Sequence, residues 1–257
     1  MRVTVILVTY NSATTIESCL KSLQMALRDQ NGETIILDNN STDDTRTLLQ
    51  RLCSTEKILY LPSNIGFATA VNKGFSIAKG QYILLVNPDL IIDWDCIKGM
   101  FNFLVMHNEA GAVGPKLVYP NGDYQPSCRR YPTVRAIISS QIRCTTKLMG
   151  TMPLSHYLME DVTLTSPTEV EWIIGACMMI KRDAVKDVGS FDKHFFLYRE
   201  DTDWCYRARN RGWKIYYLPH LKAVHHYRRE SARRFNKAFF WHIKSILRFY
   251  RKHGMQL

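Results

Sequence analysis

Val3-Thr4-Val5-Ile6-Leu7-Val8-Thr9-Tyr10-Asn11 opens the chain with an apolar, β-branched run that ends abruptly in polar residues. A run without alternation is the mark of a strand covered on both faces. Thr14 and Glu17 form a capping-box pattern and predict a helix through about Leu27. Glu33–Leu37 predicts a second strand, ending at Asp38. Ser41, Asp43 and Asp44 predict the cap of a second helix. Lys57–Leu61 is a third strand, Phe67–Lys79 a helix closed by Gly80, Tyr82–Val86 a fourth strand, and Trp94–His107 a further helix. Strand and helix signals thus alternate over a hundred residues, which implies an α/β fold with a mostly parallel sheet wrapped by helices.

The second half is less regular. Gly111–Tyr119 and Tyr124–Tyr131 read as strands around Asn121-Gly122, a tight-turn signal. Residues 145–168 read as loop, Val170–Ile180 as an apolar strand carrying Gly175, and Glu200–Arg211 as a helix. Lys214–Leu218 reads as a last strand and Ser231–Lys252 as a basic, aromatic helix. The expected organisation is one domain over 1–221, with 1–110 as a nucleotide half and 111–221 as an acceptor half. A basic segment, 222–257, follows it.

Composition narrows the function classes. Hydrophobic residues are 46% and charged residues 22% of 257, which excludes a disordered chain. No apolar run reaches the roughly 18 residues of a membrane span, and the opening run is too short for a signal peptide. Seven widely spaced cysteines without a CxxC pair point to a reducing compartment. The net charge is +11, but residues 222–257 hold ten Lys/Arg and one acid, so +9 of it is local.

In an open α/β sheet, ligands sit beyond the carboxyl ends of the strands. Four successive strand ends carry polar tips: Thr9-Tyr10-Asn11, Asp38-Asn39-Asn40-Ser41, Asn64-Ile65-Gly66-Phe67 after strand three, and Asn87-Pro88-Asp89. Asn and Asp also make turns and caps, but four such ends in a row favour a crevice. Asp38 suits a ribose hydroxyl or a base N–H. Asp89 suits a divalent cation bridging to phosphate, since Mg²⁺ and Mn²⁺ prefer carboxylate oxygen. Neither GxGxxG nor GxxxxGK[ST] occurs, which argues against a dinucleotide fold or a P-loop. Further on, Glu200, Asp201 and Asp203 open a helix. Asp203 can pair with Arg207 at i,i+4, while Asp201 is placed to stay ionised and accept a proton. His225-His226 is by itself an ordinary histidine pair.

Taken together, these motifs resemble the family 2 glycosyltransferases, inverting enzymes of the GT-A fold that use nucleotide-sugars. The resemblance rests on 8–11, Asp38-Asn39-Asn40-Ser41-Thr42-Asp43, 64–74, 85–89, Gly189-Ser190-Phe191-Asp192 and 195–207. It implies that Thr9, Tyr10, Asn11 and Asp38 surround the nucleoside, and that Asn64, Gly66, Phe67 and Asn72 form the donor loop and helix. Asn87-Pro88-Asp89 stands where the family writes D-x-D, so Asp89 is the implied metal carboxylate and Asn87 its altered neighbour. His225 is the implied metal imidazole. Asp201, with Glu200 beside it, is the implied catalytic base. Trp172 and Gly175 are implied where acceptor and sugar meet. The Asn-Pro-Asp form, residues 196–203 and the 235–245 stretch resemble bacterial rhamnosyltransferases. That implies dTDP-L-rhamnose as donor, a polyprenyl-diphosphate-linked saccharide as acceptor, a divalent cation (Mg²⁺ or Mn²⁺), and a cytoplasmic place on the inner face of the cell membrane.

The tail fits that reading. Phe235, Phe239, Ile243, Ile246 and Tyr250 share a helical stripe among Lys and Arg, a pattern suited to an anionic membrane surface or to docking on the enzyme itself. A nucleic-acid-binding protein is the rival class for so basic a chain, but the charge is confined to the tail and no nucleic-acid motif appears. A nucleotidyltransferase would carry a Gly-rich loop where Thr9-Tyr10-Asn11-Ser12 stands.

Overall fold

The computed structural model describes residues 3–28, 32–131, 133, 152–226 and 237–254. The four predicted strands form β1 (Val3–Thr9), β2 (Glu33–Asp38), β3 (Lys57–Tyr60) and β4 (Tyr82–Val86), all parallel in the order β3-β2-β1-β4. Beyond β4 the sheet becomes mixed. Antiparallel β11 (Cys177–Lys181) comes next, then β6 (Ala110–Val118), β12 (Lys214–His225) and the short β5 (Leu90–Ile91). β12 runs parallel to β6.

Side-chain alternation along β1 explains the layering. Ile6 and Val8 face one core with Ile35, Leu37, Ile83 and Leu85; Val5 and Leu7 face the other with Ile36, Leu84 and Val86. Helices α1 (Ile16–Leu27), α2 (Thr45–Leu52) and α4 (Trp94–Met106) cover the second face. Helices α3 (Phe67–Ile77), α6 (Arg182–Val188) and α7 (Glu200–Asn210) cover the first. The remaining helices are α5 (Met152–Tyr157) and α8 (Lys237–His253). Each face is therefore sealed, and the polar strand ends are the open edge of the parallel half.

Several local expectations are revised. The Thr14 capping box does not form: α1 starts at Ile16, and the Ser12 carbonyl takes the Thr15 and Ile16 N–H groups instead. Ser41 does not cap α2; its Oγ accepts the Asn11 N–H at 3.0 Å, tying two strand-end loops together. The hairpin after β6 forms, with Gly122 at φ 88, but its second strand is only β7 (Tyr124–Gln125). After Pro126 the chain leaves to pair β8 (Cys128–Arg129) with β10 (Trp172–Ile173). The 170–180 run is thus three strands, β9 (Thr168–Val170), β10 and β11. The expected 145–168 loop contains α5. β12 continues past Leu218 to His225 through a register shift, so the 221/222 boundary falls inside a strand. Phe235, with residues 227–236, lies outside the described residues.

The tail helix docks on the enzyme. Ser245, Ile246 and Phe249 are buried, and Trp241 stacks on Phe196 with ring centroids 4.3 Å apart. Of the expected stripe, Ile246 is buried, while Phe239, Ile243 and Tyr250 are half-buried. No helix among the described residues is long and apolar enough to cross a membrane.

Candidate active site

The β1 and β2 ends meet as expected. Thr9 and Asp38 are both fully buried, with Thr9 Oγ1 donating to Asp38 Oδ1 at 3.2 Å. Asp38 Oδ2 accepts from the Ser41 N–H and, at 2.6 Å, from Arg46 Nε. Arg46 also donates to Asn40 Oδ1 and the Leu61 carbonyl and lies over the Tyr60 ring. Asp38 is therefore enclosed at the strand ends, and Arg46, which the sequence reading passed over, is the charged group paired with it. Tyr10, at 49% exposed, and Asn11, at φ 51, form the rim. Asn11 Oδ1 accepts the Thr42 N–H at 2.8 Å.

The next polar end is a clamp. Asn39 Nδ2 donates to Asn64 Oδ1, and Asn39 Oδ1 accepts the Ile65 N–H, both at 2.9 Å. Asn64 Oδ1 also accepts the Gly66 N–H. Gly66 is at φ 83, and a Cβ there would lie 2.7 Å from the Phe196 carbonyl oxygen, so this position needs glycine twice over. The Phe67 N–H donates to that same carbonyl at 2.8 Å. Asn72 closes a two-way pair with Phe191, giving Nδ2–H to its carbonyl and accepting its N–H. Asn64, Gly66, Phe67 and Asn72 thus fasten the third strand end to the segment that leads into α7.

Asp89 and His225, 136 positions apart, are brought together by the antiparallel pairing of β5 with β12. His225 Nε2 lies 3.1 Å from Asp89 Oδ1, and the His226 N–H holds the Asp89 carbonyl at 2.8 Å. His225 Nδ1 faces Gln125 Oε1 at 2.8 Å. An amide oxygen only accepts, so Nδ1 carries a proton, and in the neutral ring Nε2 presents its lone pair toward the carboxylate. A lone pair and a carboxylate at that separation repel unless a cation or proton joins them. Two donors on one octahedral ion, each at about 2.1 Å, are about 3 Å apart, so the pair fits a shared divalent cation. No group of three or more His, Cys, Asp or Glu suited to a metal occurs among the described residues, so further ligands would come from the substrate. Asn87 is half-buried and ties its N–H to the Ala176 carbonyl.

One step along, Gly175 N–H donates to Asp201 Oδ2 at 2.9 Å, while Asp201 Oδ1 accepts the Thr202 N–H at 2.7 Å. Asp201 is half-buried in the first turn of α7, where the helix dipole favours negative charge. Glu200 differs. It is 5% exposed and its Oε2 has no hydrogen-bond partner among the described residues. Burial, and then the charge of Asp201, push its carboxyl well above the usual range. The two acids thus differ in setting: burial disfavours charge on Glu200, while Asp201 is held by two backbone N–H groups at the start of α7. Trp172 is only 3% exposed, with Nε1 donating to the Arg130 carbonyl, so it is a packed wall and not an open platform.

Sequence reading passed over Gln125 as well.

The profile of the family described as glycosyl transferase family 2 matches residues 4–189. The N-acetylglucosaminyl-diphospho-decaprenol L-rhamnosyltransferase of Mycobacterium tuberculosis is 27% identical over 242 residues, covering 89% of this chain and 77% of that protein. The rhamnosyltransferase WbbL of Escherichia coli K12 is 25% identical over 259 residues, covering 95% and 91%. Among solved structures, the mannosyltransferase PcManGT of Pyrobaculum calidifontis, in complex with GDP-Man and Mn²⁺, superposes with a TM-score of 0.60 at 19% identity. It covers 89% of this chain, which spans only 57% of that one, and the likeness is one of GT-A fold. With its family match running over most of 257 residues, the chain belongs to glycosyl transferase family 2.

Proposed function

We propose that the protein is an inverting transferase that moves a sugar from a nucleotide-sugar to a lipid-linked saccharide. The donor is best read as dTDP-L-rhamnose and the acceptor as a polyprenyl-diphosphate-linked saccharide. The observation that carries this reading is the placing of Asp201 against Gly175, one residue from Ala176, whose carbonyl holds the strand end leading to Asp89 and His225. A base and a diphosphate-side cation pair then flank one crevice. Asp201 takes the proton from the acceptor hydroxyl as that oxygen bonds to the anomeric carbon. The bond from that carbon to the diphosphate breaks on the opposite face, and the nucleoside diphosphate leaves with the electron pair, giving inversion. Asp89 and His225 would hold a divalent cation, which supplies charge neutralisation for the leaving diphosphate when bound. The names of the two rhamnosyltransferase relatives support the donor and acceptor classes.

The test is nucleotide release and lipid product from dTDP-, UDP- and GDP-sugars over a synthetic N-acetylglucosaminyl-diphosphate lipid, with Mg²⁺ or Mn²⁺. Product with dTDP-L-rhamnose alone is expected. Product with a UDP-sugar instead would discard the rhamnose reading, and no product with any donor would discard this acceptor.

Gln125 gives a sharper check on the cation. It holds the histidine ring in the tautomer that a metal needs, and such outer partners are worth about 10–100-fold in metal affinity. Gln125→Ala is expected to weaken Mn²⁺-dependent binding of the nucleoside diphosphate by about that factor. An unchanged Mn²⁺ titration would remove His225 from the cation site.

The outer face of α8 supports a membrane-surface partner. Lys237, Phe240, Lys244, Leu247 and Arg251 are exposed along one line of it, with Phe240 at 58% and Leu247 at 66% exposed. Basic residues interleaved with apolar ones suit an anionic interface. Co-sedimentation with phosphatidylglycerol vesicles is expected, and exchanging Phe240 and Leu247 for Ser should reduce it severalfold. Equal sedimentation of that variant would exclude this face.

A further inference from the structure

Helix α8 grips the segment ahead of α7 residue by residue. Arg248 and Lys252 lie over the Phe195 ring, 5.7 and 5.8 Å from its centroid. Trp241 stacks on Phe196, with ring centroids 4.3 Å apart and planes 20° from parallel. Ser245 Oγ donates to the Leu197 carbonyl at 2.8 Å, and the His242 and Tyr198 rings meet edge to face at 5.2 Å. Each residue from 195 to 198 is thus met by a side chain of one helix. The backbone that follows needs such support. Tyr198 and Arg199 are successive non-glycine residues in the left-handed region, at φ 68 and 70. Backbone of that kind persists only where its surroundings hold it.

The same segment also meets the end of the third strand. The Phe196 carbonyl accepts the Phe67 N–H at 2.8 Å. That is the first N–H of α3, which has no acceptor within its own helix. A Cβ on Gly66 would stand 2.7 Å from this carbonyl oxygen and 2.8 Å from Cδ2 of the Phe196 ring. The ring that Trp241 covers is therefore the one against which Gly66 lies. Asn64 Oδ1 accepts both the Gly66 N–H and the Asn39 amide, and Asn39 directly follows Asp38. Direct contacts thus run without a gap from α8 to the end of β2: Trp241 to Phe196, Phe196 to Gly66 and Phe67, and Asn64 to Asn39. Closely packed groups pass a displacement on instead of absorbing it.

We propose that Phe196 is a positioning residue for the nucleotide-sugar, and that Trp241 sets its place. Helix α8 fixes the Asn64–Phe67 loop, and with it the donor, through the Phe196 ring. This rests on the transferase reading above, with the donor at the end of β2 and at this loop. Phe196 acts through the loop and not on the reacting atoms. Asp201 has its own supports in the Gly175 and Thr202 N–H groups. Disturbing the ring therefore acts on donor binding before it acts on proton transfer. The far end of α8 bears on α7 instead, where Lys252 Nζ lies 2.7 Å from Asp203 Oδ1. One helix serves two places: its Trp241 end the donor loop, its Lys252 end the catalytic helix.

The test is calorimetric titration with dTDP-, UDP- and GDP-sugars in Mn²⁺, first on the wild type and then on variants with the sugar nucleotide that binds. Trp241→Ala is expected to weaken that binding by about 2–30-fold. Trp241→Phe, which keeps a ring over Phe196, should restore most of it. In turnover the loss should appear in the donor KM, with kcat changed less. Lys252→Ala, which frees the far end of α8, should leave donor affinity as in the wild type. Should Trp241→Ala melt below the assay temperature, Trp241→Leu, which fills space without a ring, is read in its place. Asn64→Ala cuts the same line of contacts at its other end. Adding Trp241→Ala to it should weaken binding by no more than about twofold further, whereas independent sites would multiply their losses. Donor affinity untouched at Trp241, equal losses in Trp241→Ala and Lys252→Ala, no rescue by phenylalanine, or multiplied losses in the double variant would each overturn the proposal and leave the transferase reading standing. A wild type that binds none of these sugar nucleotides discards that reading, and this inference with it.

Discussion

Asp201→Asn is expected to retain nucleoside diphosphate binding and to lose about 10²–10⁴-fold in kcat, the usual worth of a positioned general base. The substitution is close to isosteric. Its amide oxygen can still accept from Gly175 N–H, as Oδ2 does at 2.9 Å, so the wall of the crevice stays in place while the proton acceptor is gone. In the proposed reading donor affinity is set at Asp38, Arg46, Asp89 and His225, and Asp201 touches none of these among its hydrogen bonds. A fall in kcat with unchanged nucleotide affinity is the signature of an interaction made only in the transition state. The control is Glu200→Gln. Burial and the Asp201 charge raise the Glu200 carboxyl well above its usual range, so the neutral glutamine should leave most of the turnover intact. Wild-type turnover by Asp201→Asn would remove it from the mechanism, and a larger loss in Glu200→Gln would exchange the two roles.

The parallel half of the fold was legible because its signals are local. β1, β2 and β4 are apolar runs sealed on both faces, and each ends in a polar tip at the open edge of the sheet. The antiparallel half was legible only in fragments. Residues 170–180 look like one apolar strand, yet Trp172 and Ile173 pair with Cys128 and Arg129 outside the main sheet, a partner that no local periodicity reveals. The extension of β12 to His225 is hidden by Pro219 and the register shift beside it. Site residues follow the same division. Asp38, Asp89 and Asp201 stand at strand or helix ends and could be proposed from position. His225 was reached only by family resemblance, since its meeting with Asp89 depends on a pairing across 136 residues. Gln125 and Arg46 act on a charged or titratable neighbour, and that neighbour is invisible until the chain is folded. The tail was read as an even choice between membrane and enzyme, and the structure divides it by face: Ser245, Ile246 and Phe249 inward, Phe240 and Leu247 outward.

Asp203→Ala is expected to destabilise the protein by about 1–3 kcal/mol, because it removes a buried carboxylate on which three partly exposed groups of α7 and α8 converge. Asp203 is fully buried in α7. Its Oδ2 accepts from Arg207 Nε at 2.9 Å, and its Oδ1 lies 2.7 Å from both Lys252 Nζ and His253 Nε2 at the end of α8. Lys252 also reaches Asp192 at 2.8 Å, so one lysine links the tail helix to α7 and to the segment before it. Such a loss corresponds to a fall in melting temperature of roughly 2–12 °C for a chain of this size. Its pH dependence has a definite sign. Burial raises the Asp203 carboxyl, but His253, Lys252 and Arg207 outweigh it, so the folded value lies below the ordinary 3.8. The stabilisation is therefore complete above the unfolded value and is lost as pH falls through the folded one. Wild type and Asp203→Ala should differ most near neutral pH and converge in strong acid. Melting curves that keep the same gap below pH 3 would show that the loss comes from packing and not from charge. Because Asp203 lies two residues beyond Asp201 on the same helix, loosening α8 should also lower turnover in Lys252→Ala while nucleotide binding holds. That result would make the tail helix a support of the catalytic turn as well as a surface facing outward.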